Sequence, residues 1–297
     1  MSNKLSEVQA RMTGVHGLES VVGAMRGIAA ARSREARSRL DGIQACARML
    51  GAAIGDALLL ASCHPPATSI DVPPAGALTI ILGAEQGFVG TFNEHVINAA
   101  VSSTEPSSVE YFMVGDRGGL AAAERGLNIS WSAPMVTHAD EVPALADRLA
   151  DTLYERLAGG RSARVKIVHA VPNSSATIEV SQRLLLPFDF DRFPITPGRD
   201  APLVTLAPQR LLERLAQEYV FAQLCEAIML SFAAENEARM RAMIAARTNV
   251  HNTLERLAGN FRQLRQEEIT SEIVELSAGS LAAAADPRKT RLRPISL

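Results

Sequence analysis

Apolar residues recur at steps of three and four along two long stretches, one toward each end of the chain, and in short continuous runs between them. From Gln209 to Ala285 there is no proline. Val250, Leu254, Leu257, Phe261 and Leu264 form one stripe there, the pattern of a helix whose partner lies along a seam. Wholly helical, the stretch would be roughly 115 Å long at about 1.5 Å rise per residue. A compact domain cannot bury a helix of that length, so it is expected to protrude, to pair with another long helix, or to run into a different protein.

A partner helix is present at the other end. Between about Asn3 and Leu60, Leu5, Val8, Met12, Val15, Leu18, Val22 and Met25 step by three or four, and Leu40, Ile43, Ala47, Leu50, Ile54 and Leu58 do so again. The spacing predicts a second amphipathic helix of roughly 87 Å. A folded middle that returns the chain beside itself makes the pair an antiparallel coiled coil. Gly14, Gly17, Gly23 and Gly27 each cost about 1 kcal/mol against alanine in a helix interior. They predict either close approach by another backbone or tolerance of bending and fraying. Between the stripes, Arg26, Arg32, Arg34, Arg37 and Arg39 face a single acid, Glu35. The ordinary reading is a solvated face; the sharper one is a basic band that meets acidic loops of a partner.

Proline placement separates the middle. None occurs before Pro65, thirteen of the fifteen lie from Pro65 to Pro208, and Pro287 and Pro294 follow. Interior proline breaks helices, so the order is helix (1–64), compact middle (65–208), helix (209–285) and a basic tail (286–297) expected to be disordered. In the middle, Leu78 to Leu82, Val109 to Val114, Asn128 to Trp131, Arg164 to Ala170 and Ala176 to Leu185 read as strands, with a helix over 142–157. Strand and helix in alternation predict a Rossmann-like, partly parallel α/β sheet, with the last two strands an antiparallel hairpin at its edge.

Composition narrows the function classes. With 297 residues, 47% of them hydrophobic, a sizeable core can form, and a net charge of -2 argues against bulk attraction to nucleic acid. Cys46, Cys63 and Cys225 are odd in number and far apart, which predicts free thiols in a reducing compartment. Cys63 and His64 have no second cluster with which to hold a metal. The start MSNKLSEVQARM lacks the apolar core of a signal peptide, and no apolar run of the ~20 residues needed to cross a bilayer is expected. The chain is therefore expected to be cytoplasmic, touching a membrane only through partners.

Gly83, Gly87 and Gly90, after a strand and before a helix, invite a phosphate-binding reading. Their spacing departs from G-x-G-x-x-G, and no acid ends the second strand to hold a ribose. The GDRGG run from Gly115 fails likewise, and neither a Ser-His-Asp arrangement nor a Walker lysine is present. Tight strand-to-helix turns account for the glycines.

Three segments, in order, carry a family resemblance. VVGAMRGIAAARSREA near the start, GAEQGFVGTFNEHV in the middle, and ENEARMRAMIAARTN with RQEEITSEIVELSAGS near the end are similar to the γ subunit of F-type ATP synthases over nearly the whole chain to about Ala285. The last segment is the most specific, because about nine positions agree at fixed spacing. What the resemblance implies is a non-catalytic central rotor with no cofactor. Its helical pair would insert into a ring of three α and three β subunits, and its α/β part would lie near the ε subunit and the membrane c-ring. The assembly would sit peripherally on the cytoplasmic face of the inner membrane. By matching position, Arg265, Gln266, Thr270 and Glu272 would grip the β subunits, and Met25, Arg32 and Arg239 would lie where the helices meet the lower β loops.

Departures mark a divergent member. Glu85 and Gln86 stand where the family usually has Asp and Arg, Val89 replaces a cysteine and Thr91 a glycine, and Arg26 and Gly27 are unusual in their segment. With the added tail DPRKTRLRPISL, these point to the γ of a second or alternative ATPase. Two other classes stay open at this stage. A coiled-coil scaffold with an α/β head predicts no preference for ATPase α and β subunits, and a nucleotide-dependent enzyme predicts saturable binding of NAD or ATP.

Overall fold

The computed structural model describes residues 2–61, 76–102, 109–159, 162–173, 177–193 and 204–284. Cys63, His64 and the basic tail lie outside the described residues. Two helices bracket the rest: α1 is Ser2–Ala61 and α5 is Pro208–Ala284. Between them run β1 (Gly76–Leu82), α2 (Phe92–Ser102), β2 (Val109–Val114), α3 (Asp116–Glu124), β3 (Ile129–Ala133), a 3-10 turn at Ala139–Glu141, α4 (Val142–Ala158), β4 (Ser162–Val171) and β5 (Glu179–Leu186). The fold class is the expected one, α/β with long terminal helices.

The chain forms two compact units, residues 25–243 and residues 1–24 with 244–297. In the first, the sheet order is β3-β2-β1-β4-β5. Pairings are parallel except β4 with β5, the expected edge hairpin. Central strands buried on both faces explain why β1 and β2 read as unbroken apolar runs.

Alternate residues of each strand serve opposite faces. Leu78, Ile80 and Leu82 of β1 join Phe112, Val165 and Ile167 in a core covered by α4 and by α5 from Val220 to Ala233. Ile81, Met113, Val168 and Ala170 face α2 and α3, through Phe92, Val96, Ile97 and Ala122. Ala234 and Ala238 of α5 belong to this second cluster, so α5 contacts both. A third cluster joins Ile54 and Ala57 of α1 to Phe193 and Leu212.

Within this unit α1 and α5 run antiparallel. Arg37 pairs with Glu237, and Gln44 donates to Glu226 Oε1 at 3.0 Å, so the contacts move forward on one helix as they move back on the other. In the other unit, Leu5, Val8, Met12 and Val15 on α1 and Val250, Leu254, Phe261 and Leu264 on α5 are half-buried, and Leu257 is buried. Arg247 and Glu19 approach to 4.0 Å across the two helices.

Two expectations are corrected. A Cβ built on Gly14, Gly17, Gly23 or Gly27 meets nothing within 4 Å among the described residues, so close approach by another backbone of this chain is set aside and tolerance of bending and fraying stands. By length and composition, α1 between Lys4 and Leu60 contains a stretch apolar enough to cross a membrane, which the sequence reading had excluded. Ile54 and Ala57, near the end of that span, are instead engaged in the third cluster.

Candidate functional site

The loop after β1, residues 83–91, is the turn whose glycines raised the nucleotide question. Its first residues are engaged by the chain itself. Gly83 N donates to Val114 O at 2.8 Å, and Ala84 N to Asn93 Oδ1 at 2.9 Å. Gln86 N donates to Glu235 Oε1 at 3.2 Å. Glu85 Oε2 accepts from Met135 N at 2.7 Å and from Asp116 N, the first residue of α3, at 3.2 Å. A carboxylate thus fills the place at a helix start where a phosphate would be attracted.

Of the turn's glycines, Gly83 serves packing, against Gly115 and Gly118. A Cβ on Gly118 would lie 2.9 Å from Gly83 Cα, and one on Gly115, at φ 101°, would lie 2.7 Å from Gly83 O. Close approach of the turn to α3 requires bare backbone at these points. Phe88 has φ 62° and is 66% exposed. With Val89, Asn93, Arg117, Leu120 and Glu124 it lines a cleft of about 320 Å³.

Arg239 lies behind the turn. Nη2 donates to Glu235 Oε1 at 2.5 Å and to Gln86 O at 3.3 Å, Nε to Gly87 O at 3.2 Å, and Nη1 to Asn236 Oδ1 at 3.2 Å. Arg239 and Glu235 are 4% and 3% exposed. Burial pushes the Glu235 carboxyl above its ordinary range, opposed by the charge and hydrogen bond of Arg239 and by the backbone amides of Gln86 and Glu85. Glu235 Oε2 has no hydrogen-bond partner among the described residues. Removing one member of such a pair strands a buried charge, at about 3–5 kcal/mol.

A second polar group joins the sheet to both helices. Arg183 of β5 donates to Gln223 and, at 2.9 Å, to Glu226 Oε2, while Gln44 of α1 reaches the other oxygen of Glu226. His169 of β4 is 1% exposed, with Nδ1 3.0 Å from Ala170 O and Nε2 unpartnered. Burial lowers its pKa; the Ala170 contact opposes this, Arg183 adds to the lowering and Glu226 opposes it. Cys46 and Cys225 are free, and burial pushes the Cys225 thiol up to about 12, which makes it inert.

The residues singled out in the sequence do not form one cluster. Met25 and Arg32 are half-buried on α1. Arg239 is turned inward. Arg265, Gln266, Thr270 and Glu272 are exposed on α5, and Thr270 Oγ1 donates to Gln266 O at 2.8 Å. From 272 to 281 every residue is exposed, with Ile273 at 57%, Val274 at 61%, Leu276 at 74% and Leu281 at 72%. The sequence pattern gives no role to His169, Arg183 or Glu226, and places Glu85 and Glu235 only within the family segments. The available signal was Gln223, Glu226, Glu235 and Glu237 set among the apolar residues of 220–239, a run buried on all sides.

Two long helices bracketing a mostly parallel sheet define the class, an α/β protein with long terminal helices. The family model described as ATP synthase matches residues 4–283, and the chain belongs to that family, among its gamma chains. It is 24% identical to the ATP synthase gamma chain of Bdellovibrio bacteriovorus over 292 residues, covering 94% of this chain and 98% of that one. It is 26% identical to the gamma chain of Frankia casuarinae over 299 residues, covering 96% and 99%. In fold it is similar to a chain of the Euglena gracilis mitochondrial ATP synthase (OSCP/F1/c-ring, rotational state 3), with a TM-score of 0.64 at 12% identity and full coverage of both chains. A chain of the rotor of that synthase gives 0.63 at 13% identity, covering 91% of this chain and all of that one.

Proposed function

We propose that this chain is the non-catalytic central rotor of an F-type ATP synthase, transmitting torque between a membrane ion-driven c-ring and a catalytic hexamer of α and β subunits. The ε subunit would bind with it near the ring, on the cytoplasmic face of the inner membrane. The observation that carries the reading is the end of α5, where Ile273, Val274, Leu276 and Leu281 stand uncovered on a helix that the family pattern spans. Contiguous exposed apolar residues call for a partner. Arg265, Gln266, Thr270 and Glu272, exposed on the same segment, supply polar contacts to the β subunits, while Met25 and Arg32 lie at the lower contact.

Co-expression with the α and β subunits of the same organism tests this. A complex of about three α, three β and one of this chain is expected, with ATP turnover falling when Gln266, Thr270 and Glu272 are replaced by alanine. Elution of the chain alone, with ATPase activity indifferent to it, would overturn the assignment and favour a scaffold.

A further inference from the structure

We propose that Glu235 and Arg239 are positioning residues that clamp the 83–91 turn to α5, fixing the sheet to the long helix in the direction of rotation. The proposal rests on the rotor reading and assigns Arg239 an internal role in place of a direct contact with the β loops.

Apolar packing alone does not fix a sheet against turning about a helix. The sheet meets α5 mainly through side chains such as Leu224, Ile228 and Phe232, and such burial is non-directional. It holds helix and sheet together but resists turning about the helix axis only through interlocking shape. Hydrogen bonds to charged groups are directional. At the turn, three of them cross between elements: Gln86 N to Glu235 Oε1, Arg239 Nη2 to Gln86 O, and Arg239 Nε to Gly87 O. The ion pair lies one helical turn apart on α5, so both ends of the clamp are set by one rigid segment.

The other end is equally tied. Glu85 joins the same turn to the start of α3 and to Met135, and Gly118 N donates to Ala84 O at 3.1 Å. Load on β1, β2 or α3 therefore reaches α5 through residues 84–87, beside the bond from Ser231 Oγ to Leu82 O at 3.1 Å and the contacts of Arg183 with Gln223 and Glu226. The positive φ of Phe88 marks the point where the backbone leaves this hold with its side chain directed to solvent.

The test uses the whole enzyme in inverted membrane vesicles and two double variants. Glu235→Leu with Arg239→Met removes the clamp without stranding a buried charge. Glu235→Arg with Arg239→Glu restores opposite charges on α5 but puts a carboxylate against two carbonyls and a guanidinium against an N–H. Hydrogen exchange at Gln86, whose N–H donates to Glu235, is expected to accelerate roughly 10- to 100-fold in both, while α5 amides stay protected. ATP hydrolysis is expected to stay within about twofold of wild type while ATP-driven ion pumping is lost.

Unchanged exchange at the turn overturns the clamp. Accelerated exchange with normal pumping overturns its part in coupling, as does recovery of pumping in the charge-swapped variant. Should the swapped pair not assemble, Arg239→Lys keeps the charge but not the fork that spans two carbonyls; partial loss of pumping supports the proposal and full retention overturns it. A wild-type complex that hydrolyses ATP without pumping would fail the rotor reading, and exchange on the free chain would still decide the clamp.

Discussion

Glu85 Oε2 accepts the backbone N–H of Met135 at 2.7 Å, and through that one oxygen the loop after β1 is held to the loop after β3. The same oxygen accepts from Asp116 N at the start of α3. A hydrogen bond to a charged group is worth roughly 1.5–3 kcal/mol. Glu85→Ala is expected to destabilise the α/β unit by about 2 kcal/mol, and Glu85→Gln by less. Trp131, the only tryptophan, lies on β3 with its ring 5.3 Å from that of Phe112, so its fluorescence during urea unfolding reads this unit. An unchanged midpoint for Glu85→Ala would assign the bond no net value.

The contact of the turn with α3 has no room for a methyl group. Gly118→Ala places Cβ 2.2 Å from Met113 Cε and 2.9 Å from Gly83 Cα. The methionine end can move; the backbone cannot. The expected cost is about 1–3 kcal/mol, and shortening Met113 to alanine in the same chain should not recover it. Recovery would locate the clash in the side chain alone.

His169 makes stability depend on pH in a defined direction. Burial lowers its folded-state pKa, so below the ordinary value of roughly 6.5 the unfolded chain binds a proton that the folded chain does not. Its contribution is complete above pH ~6.5 and declines as pH falls toward the lowered folded value. Glu235 acts oppositely, since a raised carboxylate pKa makes the folded state the better proton acceptor and lets stability rise as pH falls through that raised value. Between pH ~7 and ~5, His169→Gln should therefore flatten the fall in stability or turn it into a rise. Denaturation midpoints across that range decide the matter, and an identical slope in the variant contradicts the assignment.

The uncovered end of α5 separates stability from assembly. Ile273→Ser and Leu276→Ser alter side chains 57% and 74% exposed, so the free chain should unfold within about 0.5 kcal/mol of wild type. Capture by α and β subunits should weaken several-fold. Equal loss of both properties would mean that these residues are covered within the chain.

Much of this was legible before any coordinates. Prolines cannot continue a helix, and stripes at steps of three and four cannot serve a strand, so α1 and α5 followed from local rules. Val109 to Val114 was read at its observed limits, because a strand buried on both faces is a plain apolar run. The motifs in the three quoted segments carried the family. Local pattern could not say which polar residues would be buried together. Arg239 reads as an exposed helical arginine, yet it is internal because α5 passes the ends of β1 and β2 and meets the 83–91 turn. Glu85, His169, Arg183 and Glu226 owe their surroundings to partners tens or hundreds of residues away. Periodicity reports which face of an element is apolar, a property of neighbours in the chain; the pairing of buried charges depends on where separate elements cross, and only the folded arrangement sets that.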